Sequence, residues 1–461
     1  MSSTYSAIYQ AQVQFFNTGI TRSYAFRKTQ LKKLNRLIRQ NEAQINEALF
    51  KDLQKHPQEV YMTELGPIYE EIKVQLKGLR QWMQPQPVSS SFFLFPASSV
   101  IYPQPLGNVF IISPWNYPAL LTINSIIGAI AAGNTVLVKP SEISAHTAAL
   151  LEQLFNENFE PGFIKVINGD GATVIPQWLN HFHFDHVMFT GSTVVGKKIM
   201  ELAAQHLSPV TLELGGKSPC IVDADASITV TAKRIVWGKF LACGQTCVAP
   251  DYLIVHESIK DKLVAAIIKE IEKNYGADAH VSNSYPRIIN AKRFETLKAY
   301  LQEGRILYGG NTDAADRFVA PTLLDNVDED GQMMREEIFG PILPIFTFKE
   351  KTEVLALIQK NPYPLALYIF SSSNQTARYY IDHVRFGGGA VNETVLQLGN
   401  SALPFGGVGY SGFGAYHGKH SFDTFTHYKG MVKRATWFEP AFRHAPFSAF
   451  KASIWRKLLG R

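Results

Sequence analysis

Cysteine is scarce in this chain: Cys220, Cys243 and Cys247 are the only three in 461 residues. Three thiols cannot build a disulfide framework, and an odd number points to a reducing compartment such as the cytoplasm. Paired metal ligands are missing as well. A structural zinc site needs about four ligands, and no histidine pair at finger spacing joins the thiols, so no metal is expected. No apolar run reaches the roughly 18 residues of a membrane span. The longest, "ALLTINSIIGAIAAG", is interrupted by Thr122, Asn124 and Ser125 and reads as a buried helix. The N-terminus has neither a basic start nor a clean apolar stretch, so no signal peptide is read. An excess of one charge is also lacking. The net charge is +6, too little for a nucleic-acid partner. What excess exists gathers at the end, where no acid follows Glu439 but Arg443, Lys451, Arg456, Lys457 and Arg461 do.

The length predicts two or three domains. Apolar residues make up 46% and charged residues 18%, enough for a large core without staples. "AFRKTQLKKLNRLIRQNEAQINEALFKDL" reads as amphipathic helix, with Leu31, Leu34, Ile38, Ile45 and Leu49 at helical spacing. A second helix is expected from about Thr63 to Trp82. Pro85, Pro87 and Pro96 then frame an extended ribbon, "SFFLFPASSVIY". From "NVFIIS" onward short strands alternate with helices, the pattern of a parallel sheet covered on both faces. At about Pro209 the alternation restarts with "VTLELGG" and "SPCIVD", predicting a second α/β domain. Beyond Val391 the chain turns Gly-rich and then aromatic. There is no internal repeat and no low-complexity tract.

Several short stretches carry chemistry. "CGQTCVAP" places Cys243 and Cys247 four residues apart. A redox disulfide is more often CxxC, which leaves a lone catalytic thiol at Cys247 or two packed small hydrophobes. "TLELGGKSP" sets Glu213 between two leucines; it is a base with a raised pKa, or else a surface-edge glutamate or a buried ion-pair partner. In "SPWNYP", Asn116 follows a strand and can donate to an oxyanion, or simply make a turn. "FTGSTVVGKKI" ends a strand and opens a helix, so Gly191, Ser192 and the free N–H groups suit a pyrophosphate. The literal GxGxxG, Gly407 to Gly412, has no βαβ setting and is a decoy. Lys139 and Glu142 in "VLVKPSE" suit a cofactor ribose; the acid favours NAD and the lysine leaves room for NADP. "REEIFGPILP" offers Glu337 for a ribose diol and Phe339 for a nicotinamide, or a plain helix end and turn.

Together "SPWNYP", "VLVKPSE", "FTGSTVVGKKI", "LELGGKSP", "GQTCVAPDY", "EEIFGPILP" and "LPFGGVGYSGFGAYHGK" resemble the aldehyde dehydrogenase superfamily, in its order and over nearly the whole chain. The short N-terminus, "APDY" and "YHGKHSF" resemble its class 3 branch, which includes fatty-aldehyde dehydrogenases. The resemblance implies an α/β fold with a Rossmann-like cofactor domain, an α/β catalytic domain and a small β bridging element for oligomerisation. The boundaries expected are 1–83 and 106–209 for the NAD(P)-binding domain and 210–392 for the catalytic domain. The bridging strands would be 84–105 and 393–433, and the basic tail 434–461. Cys247 would be the nucleophile, Glu213 the general base and Asn116 an oxyanion donor beside the Cys247 N–H. Lys139 and Glu142 would approach the adenosine ribose, and Gly191 and Ser192 the pyrophosphate. Gly196 would close the helix onto the sheet. Glu337 would hold the nicotinamide ribose and Phe339 would limit the ring, with Trp115 and Leu214 as further cofactor contacts. The implied reaction runs through a thiohemiacetal, hydride transfer and a thioester that Glu213 helps to hydrolyse. Cys243 has no required role and could pair reversibly under oxidation. Two rival readings are a cofactor-free cysteine hydrolase and a non-enzymatic protein on the same fold.

The tail "FRHAPFSAFKASIWRKLLGR" sets Phe447, Phe450, Ile454 and Leu458 on one helical stripe, with Trp455 at its edge. A basic amphipathic helix suits a membrane surface, where the enzyme would be peripheral. The alternative is a helix packed over a partner subunit's substrate entrance. Either favours medium- and long-chain alkanals, or isoprenoid and apocarotenoid aldehydes. A homodimer is the habit of the branch.

Overall fold

The computed structural model describes residues 3–460. Four long helices, Ser3–Asn17, Tyr24–Gln40, Glu42–Leu53 and Gly66–Trp82, precede the first long strand. The sequence pattern runs straight through residues 25–53, but the structure breaks the helix at Asn41. The Asn41 side chain donates to the Leu37 carbonyl at 2.8 Å, and its own carbonyl accepts from Ile45 N–H. An asparagine side chain that competes with the backbone in this way ends one helix and starts the next. The helix Ser3–Asn17 was not read from the sequence.

The first sheet has the order Gly412–Phe413, Val210–Leu214, His186–Gly191, Asn108–Ile112, Thr135–Lys139, Ile164–Val166. All pairs are parallel except the first, which adds a two-residue antiparallel edge. Helix Pro118–Ala132 is buried along nearly its whole length beneath this sheet. Each Ile or Leu so buried contributes roughly 1.5–3 kcal/mol, which explains why an almost uniformly apolar sequence is confined here. The strand order reverses between Asn108–Ile112 and His186–Gly191, and a crevice opens at their carboxyl ends.

The second sheet runs Arg305–Tyr308, Thr322–Asp325, Ile342–Phe348, Tyr252–His256, Pro219–Val222, Ala366–Phe370, Gly388–Val391. The restart expected at Pro209 falls one strand later. Val210–Leu214 pairs with His186–Gly191 in the first sheet, and the second sheet begins at Pro219. A third, three-stranded sheet joins Gln86–Val88, Ala97–Pro105 and Thr426–Arg434. The expected ribbon is thus a strand from Ala97 onward, while Phe92–Leu94 forms a short turn of 3₁₀ helix. The tail carries a helix at Ala449–Leu458, and Phe447 and Phe450 remain 83% and 73% exposed. Among the described residues no helix is long and apolar enough to cross a membrane.

Candidate active site

A cavity of about 780 Å³ opens at the switch point between the two large sheets. Cys247, Glu213, Asn116, Trp115, Gly191, Ser192, Leu214, Glu337 and Phe339 all line it. These residues span more than 200 positions of sequence and come from both sheets. Lys139, Glu142 and Gly196 are not in that lining. Lys139 ends the strand Thr135–Lys139, Glu142 lies in the turn that follows, and the two pair at 2.5 Å. Lys139 also donates to the Pro140 carbonyl, and Glu142 accepts from Gly171 N–H at 3.0 Å. Gly196 lies under Leu214: a Cβ on the glycine would stand 2.6 Å from Leu214 Cδ2. The small residue lets the helix seat on the strand.

The loop before Cys247 is tightly wound. Ala242, Cys243 and Gly244 have φ of 49°, 56° and 72° in succession. Two of these are not glycine, and each such residue stores roughly 1–3 kcal/mol of strain. Glu59 holds the first by accepting from Ala242 N–H at 2.8 Å. Gln245 holds the rest. Its amide donates to the Ala242 and Arg287 carbonyls, each at 3.0 Å, and its oxygen accepts from Ile289 N–H at 3.0 Å. Gly244 has no substitute, because a Cβ there would lie 2.3 Å from the Gly340 carbonyl oxygen. Cys243 is fully buried in the core beside Tyr285, away from the cavity lining, whereas Cys247 is half-buried within it.

Asn116 Nδ2 donates to the Gln245 carbonyl at 3.0 Å, so the amide is fixed to the cysteine loop itself. The backbone carbonyl of Asn116 accepts from Lys55 Nζ at 2.9 Å. Lys55 is wholly buried and paired with equally buried Glu64 at 2.7 Å. The second Glu64 oxygen accepts from Ala119 and Leu120 N–H, at the start of the long apolar helix. Tyr117 lies under the Lys55 ammonium and hydrogen-bonds Thr246 at 2.6 Å, one residue before Cys247. An ion pair thus braces the amide from one side while the cysteine loop holds it from the other.

Glu213 is 2% exposed, and neither of its carboxylate oxygens has a hydrogen-bond partner among the described residues. Burial pushes its pKa well above the usual carboxylate range. Burial also pushes the Cys247 thiol up to about 12, helped by the Glu337 and Glu213 carboxylates. Glu337 is raised for the same first reason, then by Asp251, against the pull of Arg293 and Lys217. Its loop is clamped. Buried Lys217 and Asp251 form an ion pair; Lys217 donates to the Met333 and Glu336 carbonyls and Asp251 accepts from Ile338 N–H. Phe339 meets the Trp115 ring edge-on, with centroids 5.3 Å apart.

The N-terminus of helix Thr193–Ala204 also borders the cavity, beside the strand that carries Glu213. Ser192 caps it by accepting from Val195 N–H, and Thr193 and Val194 line the cavity. The remaining free N–H groups and the helix dipole suit a pyrophosphate. Gly191 stays bare because a Cβ would strike the Phe189 ring at 2.5 Å. A dinucleotide fits this donor set: a helix N-terminus and the Glu337 carboxylate line the same cavity. The decoy GxGxxG borders the same space without making a phosphate loop. Tyr410 lines the cavity and its carbonyl accepts from Thr193 Oγ1.

Sequence reasoning missed Lys55, Glu64, Gln245 and Tyr416. Tyr416 is buried, lines the cavity and stands close enough to Glu213 and Cys247 to feel their charge. Lys217 and Asp251 lay inside quoted motifs, and two oppositely charged residues beside apolar strands were a usable sign of a buried pair. Lys55 and Glu64 carry no such sign.

The profile described as "Aldehyde dehydrogenase family" matches residues 3–431. The chain belongs to the aldehyde dehydrogenase family. It is 47% identical over 435 residues to "4,4'-diaponeurosporen-aldehyde dehydrogenase" of Staphylococcus aureus, covering 94% of each chain. It is 43% identical to "Aldehyde dehydrogenase family 3 member A2" of Pongo abelii, covering 96% of this chain and 91% of that one. It is 42% identical to "Aldehyde dehydrogenase, dimeric NADP-preferring" of Rattus norvegicus, covering 94% and 95%. Among solved structures, "Substrate bound state of Staphylococcus Aureus AldH" superposes with a TM-score of 0.96 at 44% identity, over 98% of this chain and 99% of that one. The enzyme is therefore an aldehyde dehydrogenase of the class 3 type, using NAD or NADP, and its mixed α/β architecture is that of the family.

Proposed function

We propose that this aldehyde dehydrogenase oxidises medium- and long-chain aliphatic or apocarotenoid aldehydes to carboxylic acids through a covalent intermediate on Cys247. One observation carries the reading: a half-buried thiol, a buried carboxylate without a partner among the described residues and a tethered amide converge on one cavity that a helix N-terminus also lines. The Cys247 thiolate, its proton already lost, adds to the carbonyl carbon, and the carbonyl π pair moves to the oxygen, which takes up the negative charge. Asn116 Nδ2 and the Cys247 backbone N–H donate to that oxygen. A bound nicotinamide dinucleotide supplies the acceptor for hydride. Gly191 and Ser192 hold its pyrophosphate, Glu337 its nicotinamide ribose, and Trp115, Leu214 and Phe339 confine the ring. Lys139 and Glu142 meet the adenosine ribose by exchanging their mutual bond for it. Glu213 then takes a proton from water, and the thioester is hydrolysed.

Support for the substrate class comes from the S. aureus relative named for a carotenoid aldehyde and from apolar Leu121, Phe405 and Tyr416 in the cavity. The cofactor sheet and the second sheet serve as cofactor and catalytic domains. The three-stranded sheet serves dimerisation, consistent with the rat relative called dimeric. The tail helix touches a membrane surface or a substrate entrance. The experiment is a steady-state survey of alkanals from propanal to hexadecanal and of an apocarotenal, with NAD and NADP, read at 340 nm. A rise in kcat/KM with chain length supports the reading. Equal rates across the series, or turnover of esters alone, would overturn it.

A further inference from the structure

A second cavity, of about 260 Å³, lies where the three-stranded sheet meets the first helices. It shares no lining residue with the active-site cavity. Its charged lining is Arg22, Arg27 and Lys429, with no carboxylate among the residues around it. Among the described residues, none of the three forms an ion pair.

Arg27 is the decisive residue. It is 4% exposed, and a guanidinium is seldom buried without a carboxylate. Two of its nitrogens have structural work. Nε donates to the Thr21 carbonyl at 2.8 Å and Nη1 to the Ala131 carbonyl at 3.0 Å, at the end of helix Pro118–Ala132. Nη2 makes no hydrogen bond, and it lies against Gly133, where a Cβ would come within 2.4 Å of it. Burial lowers the Arg27 pKa to about 10, so the group remains a cation at neutral pH. A helix cap alone explains Nε and Nη1. It does not explain a nine-tenths-buried guanidinium, with no carboxylate beside it, in the wall of a cavity whose other two charged groups are also cations without an ion pair among the described residues. Arg22 and Lys429 are exposed at its rim, and Tyr102, Gln104 and Thr426 add neutral polar groups.

We infer that this cavity is a binding site for a phosphate group, with Arg27 as its buried donor and Arg22 and Lys429 as the rim. A doubly charged oxyanion matches three cations better than a single carboxylate does, and guanidinium forks suit phosphate oxygens. The phosphate belongs either to a soluble phosphate ester or to a lipid headgroup.

The test is calorimetric titration of inorganic phosphate into the full chain at constant ionic strength, with NAD saturating so that the active-site helix is occupied. One saturable site per chain is expected. Arg22→Gln combined with Lys429→Gln should weaken it at least tenfold and leave aldehyde oxidation unchanged. Arg27→Lys should weaken it too; if that variant fails to fold, the surface pair still decides. Displacement of phosphate by phosphatidic-acid vesicles, and not by phosphatidylcholine vesicles, assigns the headgroup. Displacement by glycerol phosphate alone assigns a soluble ester. Absence of saturable binding, or equal binding by the double variant, overturns the inference.

Discussion

At the scale of single residues the site is a set of groups held away from their ordinary ionisation. Burial pushes the Cys247 thiol up to about 12 when no cofactor is bound. The thiolate fraction therefore rises about tenfold per pH unit below that value. Alkylation by iodoacetamide should climb without a plateau from pH 7 to pH 10; a plateau below pH 9 would show that the loop lowers the thiol pKa instead. Glu213 gives a stability prediction with a defined sign. Its folded pKa is raised by burial, so the folded state holds the proton to higher pH than the unfolded state does. Its contribution is full below the unfolded pKa of about 4.5 and is lost as pH rises toward the folded value. Glu213→Gln should therefore raise Tm, more at pH 8 than at pH 5. The same variant should cut steady-state turnover by roughly 10²–10⁴, while a first burst of reduced cofactor persists. Asn116→Ala should cost about 3 kcal/mol in the transition state, a loss of about 100-fold in kcat.

At the scale of elements, placement of the groups that line the cavity depends on ties that cross the chain. Glu64 joins the start of helix Pro118–Ala132 to Lys55, and Lys55 joins the carbonyl of Asn116. Lys55→Met leaves a buried carboxylate unpaired and should destabilise the fold by about 3–5 kcal/mol. Adding Glu64→Gln should restore part of that, and denaturant melts of the single and double variants measure it. The cysteine turn is similarly dependent. Gly244→Ala adds a Cβ at 2.3 Å from a carbonyl oxygen, at positive φ, and should lower both Tm and activity. This explains why a small polar loop between two cysteines, unremarkable as sequence, presents Cys247 to the cavity and sends Cys243 into the core.

At the scale of the whole molecule, three sheets bring together residues that sequence leaves far apart. The ribbon Ala97–Pro105 finds its partner at Thr426–Arg434, more than 300 residues on. This sheet exposes Tyr102, Met431 and Val432, an apolar surface that suits a second copy of the chain. Sedimentation should give a dimer, and aspartates at Met431 and Val432 should shift it to monomer. The tail helix touches the body through Trp455, near Phe93 and Phe442. Deleting residues 441–461 should lower decanal turnover relative to propanal and reduce pelleting with lipid; unchanged values on both counts would remove the tail from substrate handling.

The sequence alone determined the local alternation of strand and helix, because buried parallel strands and amphipathic helices impose their own periods on the residues. It also singled out Cys247, Glu213, Asn116, Gly191, Ser192 and Glu337, which the structure brings to one cavity, since polar and turn-forming residues stand out beside apolar strand ends. It did not separate Val210–Leu214 from the second sheet, because a strand's pairing partner is chosen by packing at long range. Nor did it reveal Lys55, Glu64, Gln245, Tyr416 or the cationic cavity at Arg27. Only the tertiary structure decided those, because a charge or an amide looks alike in sequence whether solvent or a buried partner answers it.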